Sequence, residues 1–323
     1  MLKRAIVAAL ATAAAVAAFA GSQPAAAEDY PSHPITLIVP YPPGGGVDFM
    51  GRLVAQSLSA SLGQQVVVEN RAGAGGMIGT RDLAKATPDG YTIGMMLTGI
   101  SLGANTGYDI NKDFSPIGTV ASTPIIVDAN PTLPAKTLAE VIALAKKQPG
   151  KLSAGTPPAP TINYFAAKLF NLMGGVDITT VAYKGTGPLT NDLIGNHVPL
   201  GFNTIPASVS QIEAGQLRGL AVAAATRSAA LPNVPTAAES GLPGFEAVQY
   251  YGVTAPAGVP RPIIDKLNKA LQAMLSSDDI KKRLVGAGSD PAPSTPDGYA
   301  QNIKREEGKW AALIKKLGLK IEY

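Results

Sequence analysis

The sequence predicts an α/β protein of two domains with parallel sheets, on three observations. Apolar strand-like runs alternate with segments of helical period through nearly the whole chain, the pattern of helices packed against parallel strands. The length, 323 residues, exceeds what one typical hydrophobic core serves. Three consecutive glycines, Gly44-Gly45-Gly46, join an apolar strand to an amphipathic helix, a strand-to-helix turn in which bare backbone N–H groups can approach a ligand.

In chain order, residues 1–27 read as a secretory signal. Lys3 and Arg4 form a basic start, an alanine-rich apolar run covers 5–20, and Ala25-Ala26-Ala27 offers a small-residue cleavage site before Glu28. The run is short and weakly hydrophobic for a membrane anchor, which takes about 20 residues. With no cysteine anywhere, disulfides and thiolate chemistry are excluded, and an oxidising compartment is tolerated. The expected product is a soluble periplasmic chain beginning near Glu28. Without Lys3 and Arg4 the net charge of +4 becomes +2, from 25 basic and 23 acidic residues. Scattered basic residues without interleaved aromatics argue against a nucleic-acid surface.

Strands are expected at 35–39, 66–69, 91–97, 117–120, 125–127, 152–155, 178–182, 198–202, 217–223 and 247–254. Helices are expected at 49–62, 78–86, 138–147, 162–173, 208–214, 262–275, 279–286 and 297–317. Thr137-Leu138-Ala139-Glu140 is a capping box, and Pro88-Asp89-Gly90 a firm turn. The short strands 117–120 and 125–127, with the later strand around Tyr250 and Tyr251, are where the chain is expected to cross between domains and return. That divides it into residues 28–123 with 252–323, and 124–251. Paired crossings are what a hinge-bending clamp uses.

The glycine turn suits an anion, because the helix start adds unpaired donors and partial positive charge. It is not a P-loop, since no Gly-Lys-Ser/Thr occurs at either glycine cluster. The second cluster, Gly73-Ala74-Gly75-Gly76-Met77-Ile78-Gly79, places Ile78 where a dinucleotide fingerprint needs its third glycine. Neither loop carries a lysine for phosphate, so a carboxylate fits better.

Several segments together resemble one family. Tyr41-Pro42-Pro43-Gly44-Gly45-Gly46-Val47-Asp48, Val68-Glu69-Asn70-Arg71-Ala72-Gly73-Ala74-Gly75-Gly76, Pro88-Asp89-Gly90-Tyr91-Thr92 and Ala182-Tyr183-Lys184-Gly185-Thr186-Gly187-Pro188 are similar, in kind and order, to segments of the Bug family. So are the stretches at 214–222 and 255–260. Bug proteins are extracytoplasmic receptors of tripartite tricarboxylate transporters. The resemblance implies a type II periplasmic-binding-protein fold, two α/β domains joined by a hinge, with a small carboxylate in the cleft. It implies no cofactor, a monomer, and membrane permease subunits as partners.

Carried over by position, the resemblance puts Tyr41, Gly44, Gly45 and Gly46 on the ligand in the first loop. Asp48 at the helix start either caps backbone N–H groups or joins them. Thr98, after a strand end, is either a ligand hydroxyl or an ordinary turn residue. In the second domain this chain has Gly155-Thr156-Pro157-Pro158-Ala159-Pro160-Thr161 where relatives have a Gly/Ser-rich stretch and then a histidine. Prolines lack the N–H, which leaves Thr156 and Thr161 as donors and Tyr164 in the histidine's place. Thr161 is equally an N-cap. Tyr183, Gly185 and Thr186 form the facing loop, and Lys184 there is either a counter-ion or solvated. Asn203 stands where many relatives have Asp, which disfavours ligands bearing an ammonium. Tyr41, Tyr164, Tyr183 and Phe202 leave room for a flat aromatic acid.

The two histidines, His33 and His197, lie near a strand start and in a turn, and no nucleophile elbow or metal-ligand cluster is present. A binding clamp is therefore expected. The alternatives are a receptor feeding a two-component sensor kinase and a periplasmic enzyme.

Overall fold

The computed structural model describes residues 30–99, 102 and 106–318; the expected signal at 1–27 lies outside the described residues. Strand β1 (Ile35–Val39) pairs in parallel with β2 (Val66–Asn70) and β3 (Thr92–Leu97). Its near-continuous apolar composition suits a strand covered on both faces. Leu37 and Val39 pack with Met50 and Leu53 of α1 (Gly46–Leu62), and Ile38 packs with Leu83 of α2 (Met77–Ala84).

The two short strands expected at 117–120 and 125–127 are in fact one strand, β4 (Phe114–Ala129). It stays whole because both of its parts find partners. Up to Pro124 it pairs antiparallel with β9 (Val248–Pro256); from Ile125 it pairs antiparallel with β7 (Leu200–Thr204). The stretch 121–124 that reads as a break in the sequence pairs in regular register with Val248–Tyr251, and the register shifts lie before it, between Pro116 and Gly118 and between Thr119 and Ala121.

The later elements are α3 (Leu138–Lys147), β5 (Ser153–Thr156), α4 (Ile162–Gly174), β6 (Thr179–Ala182), α5 (Thr186–Ile194), α6 (Ile205–Glu213) and β8 (Arg218–Val222). After β9 come α7 (Arg261–Ser276), α8 (Asp278–Gly286), β10 (Asp290–Pro291) and α9 (Pro296–Leu317). At the start of α3, Thr137 Oγ1 accepts from Glu140 N at 3.2 Å. The Glu140 carboxylate closes that cap on Lys136 N, one residue before the position a standard capping box uses.

The sheet order is β2-β1-β3-β9-β4-β7-β5-β6, with β8 and β10 also on β4. Around β3 the order runs second strand, first, third, then the antiparallel β9 and β4. Around β7 the same sequence recurs as β6, β5, β7, then the antiparallel β4 and β8. Each half thus takes one strand that belongs in sequence to the other half. This reciprocal exchange is the type II periplasmic-binding-protein arrangement.

Two large apolar cores flank the shared strands. One is built from β1, β3, β9, α1 and α7; the other is built around Phe165, Phe170, Phe202, Phe245 and Trp310. Helix α9 reaches both sides. Its Tyr299 ring fills the space at Gly252, where a Cβ would lie 2.2 Å away, and its Trp310 stacks on Phe165 with centroids 5.9 Å apart. Among the described residues no helix is long and apolar enough to cross a membrane.

Candidate functional site

The β1–α1 turn is shaped by its own carboxylate. Gly44 takes φ +86°, a conformation open to glycine, and its N–H donates to Asp48 Oδ2 at 3.1 Å. Arg52 Nε and Asn70 Nδ2 complete the shell at 2.9 and 3.0 Å. Burial works against the charge on Asp48, but these three donors outweigh it and hold the carboxyl below its ordinary range. Asp48 is therefore spent on holding the loop.

The β6–α5 turn meets this loop face to face. A Cβ on Gly45 would stand 2.7 Å from Thr186 Oγ1, and one on Gly187 3.0 Å from the Pro43 carbonyl. Gly46 N–H points at Thr186 Oγ1 at 3.4 Å, and Gly185 lies against the Pro42 ring. A second contact joins the halves at Gly75, where a Cβ would lie 2.9 Å from the Ala159 carbonyl. The cleft is shut.

Behind these loops is a cavity that offers about 20 Å3 to the centres of water molecules. Val47, Leu97 and Pro157 supply apolar wall; Tyr41, Thr98, Thr161, Asn163, Thr186, Thr204, Gln249 and Tyr251 supply polar atoms. Among the described residues, no charged side chain lines it. Four helices begin at this point, since Val47 is in the first turn of α1, Thr161 caps α4, Thr186 opens α5 and Thr204 caps α6. Only α4 has its first turn satisfied by a side-chain cap. The first turns of the other three have no side-chain cap, and their positive dipole ends lie at the cavity.

Two hydroxyls in the wall, Thr204 Oγ1 and Tyr251 OH, are buried without a hydrogen-bond partner among the described residues. They flank Gly46, each 2.8 Å from where its Cβ would be. The Thr204 oxygen is near enough to ease ionisation of Tyr251 slightly, but the pair lacks bonding geometry. Burial dominates and drives the Tyr251 phenol far above its ordinary range, so it remains a donor. Tyr41 is likewise raised by burial, and donates to the Gly75 carbonyl at 2.6 Å. Thr98 Oγ1 accepts from Gln249 Nε2 at 3.0 Å and from Tyr250 N at 3.1 Å, which leaves its own proton to donate.

Of the expected ligand residues, Tyr41, Thr98, Thr161 and Thr186 meet around this cavity, with Gly44, Gly45, Gly46 and Gly185 forming the loops that shut it. Thr161 also caps α4, accepting from Tyr164 N at 3.3 Å. Five others do not line it. Asp48 is consumed in its loop. Thr156 donates to the next residue's carbonyl at 2.7 Å. Tyr164 turns toward Lys168, whose Nζ is 5.2 Å from its ring centroid. Tyr183 covers Gly155, and burial together with the neighbouring Asp192 pushes its phenol up to about 12. Asn203 is fully buried in a separate polar cluster.

The sequence reading missed Asn163, Thr204, Gln249 and Tyr251. Thr204 sits at the carboxyl end of its strand, where ligands of open α/β sheets gather. Gln249 and Tyr251 share one face of β9 by strand alternation. Both signals were present in the chain.

The family model for the tripartite tricarboxylate transporter family receptor matches residues 50–319. BugT of Bordetella pertussis is 37% identical over 305 residues, covering 93% of this chain and 94% of BugT. The structure of R. palustris Rpa4515 with adipate superposes with TM-score 0.88 at 35% identity, covering 90% of this chain and 99% of that one. MatC from Rhodopseudomonas palustris with bound malate gives 0.84 at 30% identity, covering 88% and 100%.

Proposed function

Because the chain belongs to the tripartite tricarboxylate transporter receptor family, we propose that it is a periplasmic receptor that captures a small organic carboxylate between two closing lobes. The carrying observation is the convergence of four helix starts and two unpartnered hydroxyls on a cavity without charged side chains. A carboxylate there receives charge-assisted hydrogen bonds from neutral donors fixed in place beforehand, with no counter-ion to desolvate. Relatives solved with adipate and with malate support the ligand class.

The lobes are residues 28–123 with 252–323, and 124–251, with β4 and β9 as the paired crossings. A cavity of about 20 Å3 to water centres holds roughly one water. A dicarboxylate therefore enters only when the loops at Gly45 and Thr186 separate, and it holds them further apart than they stand here. Entry docks the acid on the α1 turn, and closure then adds Thr161, Thr186 and Thr204 from the other lobe. A micromolar complex needs about 8 kcal/mol, within reach of several such bonds in a dried cleft.

The receptor works without catalysis, acts as a monomer, and hands its ligand to membrane permease subunits of a tripartite transporter. Residues 1–27 direct it to the periplasm. A thermal-shift screen over aliphatic dicarboxylates, aromatic acids and amino acids tests the ligand class. Non-aminated dicarboxylates should raise the melting temperature, and a response confined to amino acids would refute the class. Mass spectrometry of the incubated hits should return them unchanged; a new product would make the protein an enzyme.

A further inference from the structure

Behind the second lobe's half of the cleft is a buried polar chain that the capture reading leaves unused. Asp128, on β4, is fully buried, and its Oδ1 has no hydrogen-bond partner among the described residues. It opposes Gly201 of β7, where a Cβ would come within 2.5 Å of that oxygen, so glycine makes the space for this carboxyl. Asn203 Nδ2 donates to Asp128 Oδ2 at 3.3 Å and to Thr190 Oγ1 at 2.9 Å. Asn203 Oδ1 accepts from Thr204 N at 3.1 Å. Thr190 Oγ1 in turn bonds the Thr186 carbonyl at 2.9 Å. One amide side chain thus ties the central strand to the two residues, Thr204 and Thr186, that present hydroxyls to the cavity.

We propose that Asp128 is a positioning residue for ligand capture, acting through Asn203 and Thr190 to set the Thr204 and Thr186 hydroxyls. The proposal rests on the reading of the cleft as the ligand site. The groups facing Asp128 are uncharged: Gly201 and Asn203 from β7, Thr190 and Leu193 from the α5 side, Ser208 from α6 and Gly219 from β8. Burial, only partly offset by Asn203 and Ser208, raises this carboxyl to about 7. As the neutral acid it accepts one weak bond from Asn203 and carries no buried charge that calls for further donors. Ionised, it becomes a buried charge that pulls donors toward itself, and Asn203 is the donor already in contact. The amide then turns away from Thr204 and Thr190, and both cleft hydroxyls lose their seat.

The test follows backbone amide resonances of the unliganded protein between pH 5.5 and 8.5, with adipate and malate binding measured calorimetrically at pH 6 and pH 8. In the wild type, the Thr204 and Thr186 amides should move with one shared midpoint. Asp128→Asn should abolish both movements. Thr190→Val should silence Thr186 and spare Thr204, a split that a merely structural role does not produce. Affinity for the acids should fall about fivefold from pH 6 to pH 8, the weight of one hydrogen bond, and this fall should vanish in Asp128→Asn. Unmoved wild-type amides, or an unchanged titration in Asp128→Asn, would overturn the proposal. Amides that titrate as described while neither acid nor any other carboxylate binds would uphold the relay and refute the capture reading instead.

Discussion

Removing the two unpartnered hydroxyls should make the protein more stable and worse at its task. Thr204 Oγ1 and Tyr251 OH are buried with no bonding partner among the described residues, and an unsatisfied buried polar group costs about 1–3 kcal/mol. Tyr251→Phe deletes one such oxygen and keeps the ring, which is fully buried in the first core. The unliganded variant should therefore gain up to about 1 kcal/mol in urea unfolding, or about 1–2 °C in melting temperature for a chain of this size. The ligand loses a neutral donor fixed in place beforehand, worth about 1–1.5 kcal/mol, so affinity should drop roughly 5–12-fold. Thr204→Val should act in the same direction. Trp310, the single tryptophan of the chain, lies in the second core and stacks on Phe165, so its fluorescence reports binding and unfolding in the same sample. If Tyr251→Phe destabilises the unliganded protein and leaves affinity intact, the hydroxyl has a structural partner and the argument fails.

Three further outcomes follow from the same geometry. Gly45→Ala places a methyl 2.7 Å from Thr186 Oγ1, so the unliganded lobes should stop short of the closure seen here. Small-angle scattering without ligand should give a larger radius of gyration than wild type, while calorimetric affinity for an acid that already holds this contact apart should change little. Asp48→Asn removes the acceptor shared by Gly44, Arg52 and Asn70 and should cost about 1–2 kcal/mol at pH 7. Since the folded protein holds this carboxyl below its ordinary range, its contribution is present above the unfolded value near 4 and lost as pH falls through the folded one. The variant should therefore converge on wild type in acid denaturation. Asp128 has the opposite sign. Its folded value of about 7 lies above the unfolded one, so its contribution is complete below pH 4 and lost as pH rises to about 7. Over that window wild type should lose up to about 4 kcal/mol relative to Asp128→Asn by linkage, read as diverging urea midpoints.

Much of the fold was legible because each element carries its own period. The 35–39 strand, the glycine turn and the helix after it could be placed from residues in immediate succession. The continuity of β4 was not, because it depends on partners far away in sequence: β9 along one part and β7 along the other. The site divides along the same line. Tyr41, the glycines, Thr98 and Thr186 sit at ends of elements, where exposure to a cleft follows from chain order. Asn203 and Tyr183 also sit at such places, yet each is captured by a neighbour the sequence does not announce: Asp128 and Thr190 for one, Gly155 and Asp192 for the other. Tyr251 was hidden for the converse reason. It reads as a core aromatic, and only the approach of Gly46 from another element turns its hydroxyl into a cleft group.

The most direct measurement is a crystal structure of the protein grown with adipate or malate. The account predicts carboxylate density between the α1 turn and the α5 turn, within 3.2 Å of Thr204 Oγ1 or Tyr251 OH, with the Gly45–Thr186 contact widened. Density for the acid outside this cavity, with both hydroxyls still unpartnered, would contradict it.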